Sequence, residues 1–408
     1  MPDRHEALDR LLAEAAARFG TPAYVYVTEA IQDRLDALNS AFGRWFDLSY
    51  AVKANPNPAL LSWLRDRVAT LDISSGGELA AATAQGWAPD RLSFTGPAKR
   101  DSELAAALAA GPVEVVVESL REARALDRLA RDAGRVQPVL VRLSPAHVPR
   151  GFGDHMAGRP SPFGIDVEDA AAALAEIAAL QGLALNGLHI YSGTQSLKPE
   201  AITENWRIFL QVFRTACDGL DLVPQRLIFG AGLGIPYHDG DTALDLTEIA
   251  ADIGPDLDAF RAEPRFAATR LTLELGRFLV GEAGWFVTRV VTLKQSRGST
   301  FALCDGGMNA HLAASGHFGM VIKRNYRMHR VGGGEPTARV DLTGPLCTSL
   351  DRLGSGVLLP PLAEGDLIAI HASGAYGPTA SPTGFISHPA PREVLAEGGQ
   401  LRDVTPRP

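Results

Sequence analysis

The chain has 408 residues, of which 46% are hydrophobic and 21% charged, and a formal net charge of −8. That length exceeds one ordinary core and points to two domains, while the acidic balance excludes nucleic acid as a main partner, since phosphate binding draws on clustered Lys and Arg. The widely spaced Cys217, Cys304 and Cys347 offer no disulfide framework, the histidines form no HExxH or tight ligand cluster, and neither a membrane span nor a secretory leader is legible, so no metal, no membrane and a cytoplasmic setting are expected.

Apolar residues recur at helical spacing from His5 to Phe19, and Gly20 follows where a helix end favours positive φ. Ala23 to Val27 reads as a strand. Eight β-rich runs come next, at 46–53, 69–74, 91–96, 113–118, 138–143, 183–191, 226–232 and 269–276, separated by Ala- and Leu-rich amphipathic stretches. Strict alternation of helix with almost wholly apolar strands predicts a parallel sheet, and eight repeats predict a closed (β/α)₈ TIM barrel over 30–276. An open doubly wound sheet is the alternative. After Gly276 the runs GWFVTRVVTLKQ, STFALCDGG, RVDLTG and DLIAIHA follow closely, with Gly and Pro between them. They predict a C-terminal antiparallel β domain over 277–408, which the first 29 residues join.

Reactive groups of such a barrel stand at the carboxyl ends of its strands. Lys53 ends the first run, close to packed interior. Asp72, with Ser74, Gly76, Gly77 and Glu78 beyond it, marks the second, Arg142 the fifth, and His189, followed by Tyr191, Ser192 and Gly193, the sixth. The seventh ends in Gly230-Ala231-Gly232-Leu233-Gly234, and the eighth carries Glu274 before Gly276 and Arg277. Each has a plain structural reading alone: a snorkelling lysine, a satisfied interior histidine, a tight glycine turn, a carboxylate paired to Arg277. Together they suit pyridoxal phosphate, which needs an amine for a Schiff base, a phosphate cradle, and a carboxylate for the pyridine nitrogen. The glycine run is GxGxG rather than GxGxxG, so a dinucleotide fingerprint is excluded, whereas an array of N–H groups facing one phosphate fits.

The segments YAVKAN, SSGGEL, FTGPAK, SPFGID, HIYSGTQ, GAGLGIPY, LELGRFLVGEAG, DGGM, GPLCTSLD and GAY followed by HPAPREVL occur in one order. Over nearly its whole length the chain resembles the fold-type III pyridoxal-phosphate decarboxylases, with an alanine racemase-like barrel, the group that includes diaminopimelate, ornithine and arginine decarboxylases. The resemblance implies a head-to-tail homodimer in which the β domain completes the partner's site. It implies that Lys53 forms the internal aldimine, His189 stacks on the pyridine, and Glu274 pairs with the ring nitrogen. Asp72, Ser192, Gly230, Gly232, Gly276, Arg277 and Tyr376 would serve the cofactor, and Cys347 would reprotonate the α-carbon.

Two departures bear on substrate. Where diaminopimelate enzymes follow the cysteine with a glutamate that anchors the distal amine, this chain has Thr348, and the family's late phosphate-binding tyrosine aligns with Phe385. These features are similar to a narrower branch holding the carrier-protein glutamyl decarboxylase of butirosin-type biosynthesis and exosortase-associated decarboxylases. The expected activity is decarboxylation of an amino acid without the usual distal anchor, tethered to a carrier protein, in a biosynthetic pathway. The basic run Lys323-Arg324-Asn325-Tyr326 either meets such a carrier or is a solvated loop. Diaminopimelate decarboxylation, an alanine-type racemase and a catalytically inactive regulatory homologue are the competing expectations.

Overall fold

A computed structural model describes residues 4–317 and 323–406. It divides into two compact units: one holds Leu35–Ile235 and Ala243–Gly276, the other the described residues of Met1–Arg34, Pro236–Thr242 and Arg277–Pro408. Among the described residues no helix is long and apolar enough to cross a membrane.

The first unit is a closed barrel of β1 (Phe46–Ala51), β2 (Thr70–Ile73), β3 (Leu92–Phe94), β4 (Glu114–Val117), β5 (Gln137–Ser144), β6 (Leu183–Ile190), β7 (Arg226–Gly230) and β8 (Arg270–Leu275). Neighbours pair in parallel throughout, β8 closes on β1 and β4 on β5, so the open-sheet alternative is set aside. Burial on both faces explains why strands such as EVVV and RLIFG show no polar alternation. The returning helices start on polar caps: Ser75 Oγ accepts the Glu78 N–H, and the Asp245 carboxylate accepts those of Thr247 and Glu248. Phe46, Phe229 and Trp206 meet edge-on between β1, β7 and helix Pro199–Leu220, at centroid separations of 5.1 and 5.5 Å. Burying each such ring contributes about 1.5–3 kcal/mol.

A polar plug fills one level of the barrel interior. Arg226, 1% exposed, donates to Glu114 at 2.7 Å, Thr70 at 2.8 Å and Thr272 at 3.0 Å, which ties β7 to β4, β2 and β8. A buried guanidinium this fully bonded is tolerated, and it places a positive charge inside the barrel.

The second unit is a nine-stranded sheet whose main path runs 352–359, 338–343, 299–304, 284–296, 23–27, 392–397, 400–403. Pairing is antiparallel except where 23–27 meets 392–397 and 299–304 meets 338–343. Helix Arg4–Phe19 lays Leu12, Ala15 and Ala16 on Val25, Val287, Ala369 and Val394. Pro236–Thr242 groups here because Asp241 accepts from the backbone N–H groups of Tyr237 and His238 and pairs with Arg324, while His238 bonds the Asn325 carbonyl.

Candidate active site

The strand carrying the lysine motif is shorter than its sequence suggests. β1 stops at Ala51, and Lys53 stands in a single 3₁₀ turn, Val52–Ala54. Val52 and Ala54 are fully buried while Lys53 is exposed, which corrects the expectation of an amine against packed interior. The rest of YAVKAN builds the turn: Tyr50 Oη donates to the Asn55 carbonyl, Asn55 Oδ1 accepts from Asn57 N–H, and Asn57 caps helix Pro58–Leu64. Gly276 is required beside it, since a Cβ there would lie 2.8 Å from Ala54 Cβ. Lys53 Nζ is 5.4 Å from the Tyr191 ring centroid, so the amine reaches over the end of β6 from a rigid base.

Three carboxylates surround this amine electrostatically. Asp72, 1% exposed, accepts from Thr95 Oγ1 through Oδ1, while its Oδ2 has no partner among the described residues. Burial, reinforced by the Glu274 charge, pushes its carboxyl up to about 7. Glu78 is likewise pushed up to about 7, chiefly by burial, although its Oε2 accepts the Ser74 N–H. A raised carboxyl favours folding below its unfolded value and loses that advantage as pH rises through the folded one. Between the ordinary 3.8 and about 7, therefore, Asp72 ionises in the unfolded chain but not in the folded one, and stability falls. Asp72→Asn removes the ionised form, so the apoenzyme is expected to gain on the order of 2 kcal/mol at pH of about 8.5 and nothing near pH of about 4. Urea unfolding across pH checks this, and an advantage that is flat in pH would refute it.

His189 and Glu274 face each other inside the barrel, His189 Nε2 lying 3.1 Å from Glu274 Oε2, at 1% and 2% exposure. Burial, with Arg142 adding to it, pulls the imidazole down to about 3, so it is neutral and its Nε2 shares one hydrogen bond with the Glu274 carboxyl group. Its Nδ1 has no partner among the described residues. Burial raises the Glu274 carboxyl, opposed by the charges of Lys53, Arg142 and Arg226. Beside this pair, Arg142 Nη1 lies 3.2 Å from both Glu118 oxygens and its Nη2 donates to the Tyr191 carbonyl. Glu118 also accepts from Gly96 and Gly164, so it ties FTGPAK and SPFGID to the fifth strand end.

The glycine turn after β7 is partly consumed within the protein. Ala231 N–H donates to the Glu274 carbonyl and Gly234 N–H to that of Ser196, whereas the N–H groups of Gly232 and Leu233 find no acceptor among the described residues. Gly232 has φ of +71° and would set a Cβ 2.6 Å from the Phe152 ring, so only glycine keeps this turn. Gly230 is held back against the Tyr191 ring in the same way. Ser192, fully buried, donates its hydroxyl to Asn205.

Arg277, Tyr376 and Cys347 belong to the β unit. Arg277 Nη1 donates to Tyr237 Oη at 2.7 Å, its Cζ lies 4.7 Å from the Tyr376 ring centroid, and its buried Nε has no partner among the described residues. Tyr376 holds φ of +54°, a turn that sets its ring beneath the guanidinium. Phe385 is 46% exposed with Ile386 beside it. Cys347 is exposed, whereas burial pushes the thiols of Cys217 and Cys304 up to about 12. Its loop is shaped by Asp351, whose carboxylate accepts from Met308 N–H at 2.6 Å and Leu346 N–H at 2.7 Å and so joins DGGM to GPLCTSLD. The basic run is fastened within the protein: Lys323 Nζ donates to the Arg352 carbonyl, Arg324 pairs with Asp241, and Asn325 bonds Ser355.

The barrel thus gathers Lys53, Asp72, His189, Ser192, Gly230, Gly232, Glu274 and Gly276 at the carboxyl ends of its strands. Sequence reading missed Glu118, although it closes the fourth run, because it was counted as strand. It also missed Asn205 and Arg226, a mid-helix residue and a strand start. A closed parallel barrel with an amine, orphaned N–H groups, an unpartnered imidazole nitrogen and buried carboxylates on one rim defines a barrel enzyme built around an organic phosphate cofactor, and these donors fit pyridoxal phosphate.

The family described as pyridoxal-dependent decarboxylase, pyridoxal binding domain, matches residues 28–281. An L-glutamyl-(BtrI acyl-carrier protein) decarboxylase of Niallia circulans is 33% identical over 94% of this chain and 90% of that protein. A diaminopimelate decarboxylase of Methanothermobacter thermautotrophicus is 32% identical over 97% and 91%. Among solved structures, the diaminopimelate decarboxylase of Helicobacter pylori complexed with L-lysine has a TM-score of 0.85 at 26% identity, covering 97% of this chain and 96% of that one. The chain belongs to the pyridoxal-dependent decarboxylases, and is an amino-acid decarboxylase that uses pyridoxal phosphate.

Proposed function

We propose that the substrate is an amino acid without a distal amine, a glutamyl group presented on an acyl carrier protein, and that the enzyme works as a cytoplasmic head-to-tail homodimer. The observation that carries this reading is Thr348 directly after Cys347. Its hydroxyl accepts the Leu350 N–H at 3.3 Å and folds into its own loop, so a neutral group stands where an anionic anchor for a distal ammonium would be needed. The name of the Niallia circulans relative supports the carrier-linked glutamyl group. Diaminopimelate is the second reading, favoured by the names of several relatives at 28–33% identity.

Pyridoxal phosphate, when bound, supplies the electron sink that accepts the pair left as carbon dioxide departs. Lys53 would hold it covalently. The free N–H groups of Gly232 and Leu233 in the turn that Gly230 begins, with Ser192, would hold the phosphate, and Gly276 would keep the adjoining backbone close. Arg277 and Tyr376 are proposed to add a charge and a hydroxyl, the contribution that Phe385 lacks. His189, neutral, would offer its ring face, and Glu274 a fixed negative charge inside the barrel. Asp72, with a carboxyl near neutrality, would exchange protons near Lys53. Each turnover releases one carbon dioxide and consumes one proton, which Cys347 of the second copy would deliver to the α-carbon.

Carbon dioxide release from carrier-linked glutamate, free glutamate and meso-diaminopimelate tests the substrate. The expected kcat/KM on the carrier-linked substrate exceeds that on meso-diaminopimelate by about 100-fold or more, the scale of one unanswered buried charge. Faster turnover of meso-diaminopimelate would overturn the argument from Thr348.

A further inference from the structure

We infer that Asn205 is a positioning residue that sets the direction of the Ser192 hydrogen bond, and thereby decides whether Ser192 can donate to the cofactor phosphate. This rests on the proposed role of Ser192 as a phosphate ligand. Both residues are 0% exposed, and Ser192 Oγ donates to Asn205 Oδ1 at 2.8 Å. A serine hydroxyl has one hydrogen to give. Spent on Asn205, it leaves only lone pairs for a phosphate, whose oxygens are themselves acceptors.

The amide end of Asn205 shows the other half of the problem. Its Nδ2 is buried with no acceptor among the described residues. Asn205 sits on the buried face of helix Pro199–Leu220, among Ile202, Trp206 and Phe209, where an unanswered amide is costly. The same helix is fastened to the glycine turn, since Trp206 Nε1 donates to the Ala231 carbonyl at 3.3 Å.

A half-turn of the Asn205 amide about its last side-chain bond answers the orphan donor and frees the serine hydrogen, while Oδ1 moves to the position that Nδ2 holds here. Nδ2–H then donates to Ser192 Oγ, the orphan donor is answered, and the serine hydrogen is released toward an anionic acceptor. Amide rotation therefore acts as a polarity selector. The arrangement in this structure is the one with the hydroxyl turned away, and binding of a phosphate monoester selects the other.

Equilibrium binding of pyridoxal phosphate and of phosphate-free pyridoxal to the apoenzyme, followed by quenching of intrinsic fluorescence, tests this without any turnover. Asn205→Asp offers only acceptors when ionised, so it keeps the serine hydrogen and adds a negative charge. Its affinity for pyridoxal phosphate is expected to fall about 10- to 100-fold, the scale of one hydrogen bond to a charged group, with pyridoxal affinity unchanged. The loss should deepen as pH rises, because a protonated carboxyl can still donate. Asn205→Ala leaves the hydroxyl free to turn, and is expected to lose less than about threefold. Ser192→Ala should match the Asp variant in direction. If Ser192→Ala leaves phosphate-dependent affinity intact, the role of Ser192 as ligand fails. If Ser192→Ala weakens it but Asn205→Ala weakens it equally, or Asn205→Asp weakens pyridoxal as much as pyridoxal phosphate, Asn205 is merely structural and the inference is overturned.

Discussion

Lys53→Ala is expected to lower decarboxylation by about 10⁴-fold or more, the scale seen when an enzyme loses its covalent group, while the barrel stays folded. The side chain is exposed and its turn is held by the buried Val52 and Ala54 and by Tyr50, Asn55 and Asn57, so truncation removes no packed core. What it does remove is a cation that lowers the carboxyl values of Asp72, Glu78 and Glu274. Without it those values rise further, so the stability that the apoenzyme loses between acid and alkaline pH should grow. Lys53→Arg separates the two contributions: it restores the charge and the pH profile of unfolding, but the guanidinium stays protonated and does not restore activity. Carbon dioxide release and the visible absorbance of added pyridoxal phosphate report the covalent role. An alanine variant retaining more than about a hundredth of parental activity would exclude Lys53 as the covalent group.

The barrel was legible because its strands are buried on both faces, which leaves uninterrupted apolar runs between amphipathic helices. Strand ends were less so. FDLSYAVK reads as one run, yet pairing with β8 and β2 stops at Tyr50 and Ala51, and the chain then turns. Apolar character alone does not show where a ladder loses its partner, and so the amine of Lys53 was placed nearer the core than it lies. In the β unit, RLGSGVLL is a strand despite two glycines, one at φ of +56°, and the register shifts on both sides of Leu342, which pairs with Gly354. The run at 392–397 was passed over because it begins inside the HPAPREVL motif, the four-residue QLRD at 400–403 was not singled out as a strand, and the parallel pairing of 23–27 with 392–397 depends on partners more than 360 residues apart.

Among site residues, those at strand ends could be found by walking the rim. Asp72, His189 and Glu274 were found in that way. Asn205 could not be, since an asparagine in the middle of a 22-residue helix carries no local sign of its partner. The one available signal was its position on the apolar face between Ile202 and Trp206, where a polar residue has a cost that something must offset. Arg226 carried the same signal, a guanidinium opening the apolar run RLIFG, and its acceptors come from strands two, four and eight.

Glu274→Gln is expected to reduce kcat by about 10²- to 10³-fold with little change in KM, and to remove the acidic limb of the pH–rate profile. Glutamine keeps the shape and, with an amide that can accept or donate, can still bond His189 Nε2, so the change isolates charge. That charge is held in place from several directions. Thr272, two residues earlier on the same face of β8, bonds Arg226, and the charges of Lys53, Arg142 and Arg226 all favour the ionised carboxylate. Burial opposes them and sets the carboxyl above its ordinary value, so as pH falls the parent loses the anion earlier than an exposed glutamate would. If activity requires the anion, the parent rate declines on the acid side through that raised value, whereas the glutamine variant is slow and flat there. Glu274→Asp retains the charge on a shorter arm and should keep the limb while losing the His189 contact. An acidic limb that persists unchanged in the glutamine variant would transfer it to another group, with Asp72 and Glu78, both pushed up to about 7, the candidates beside the amine.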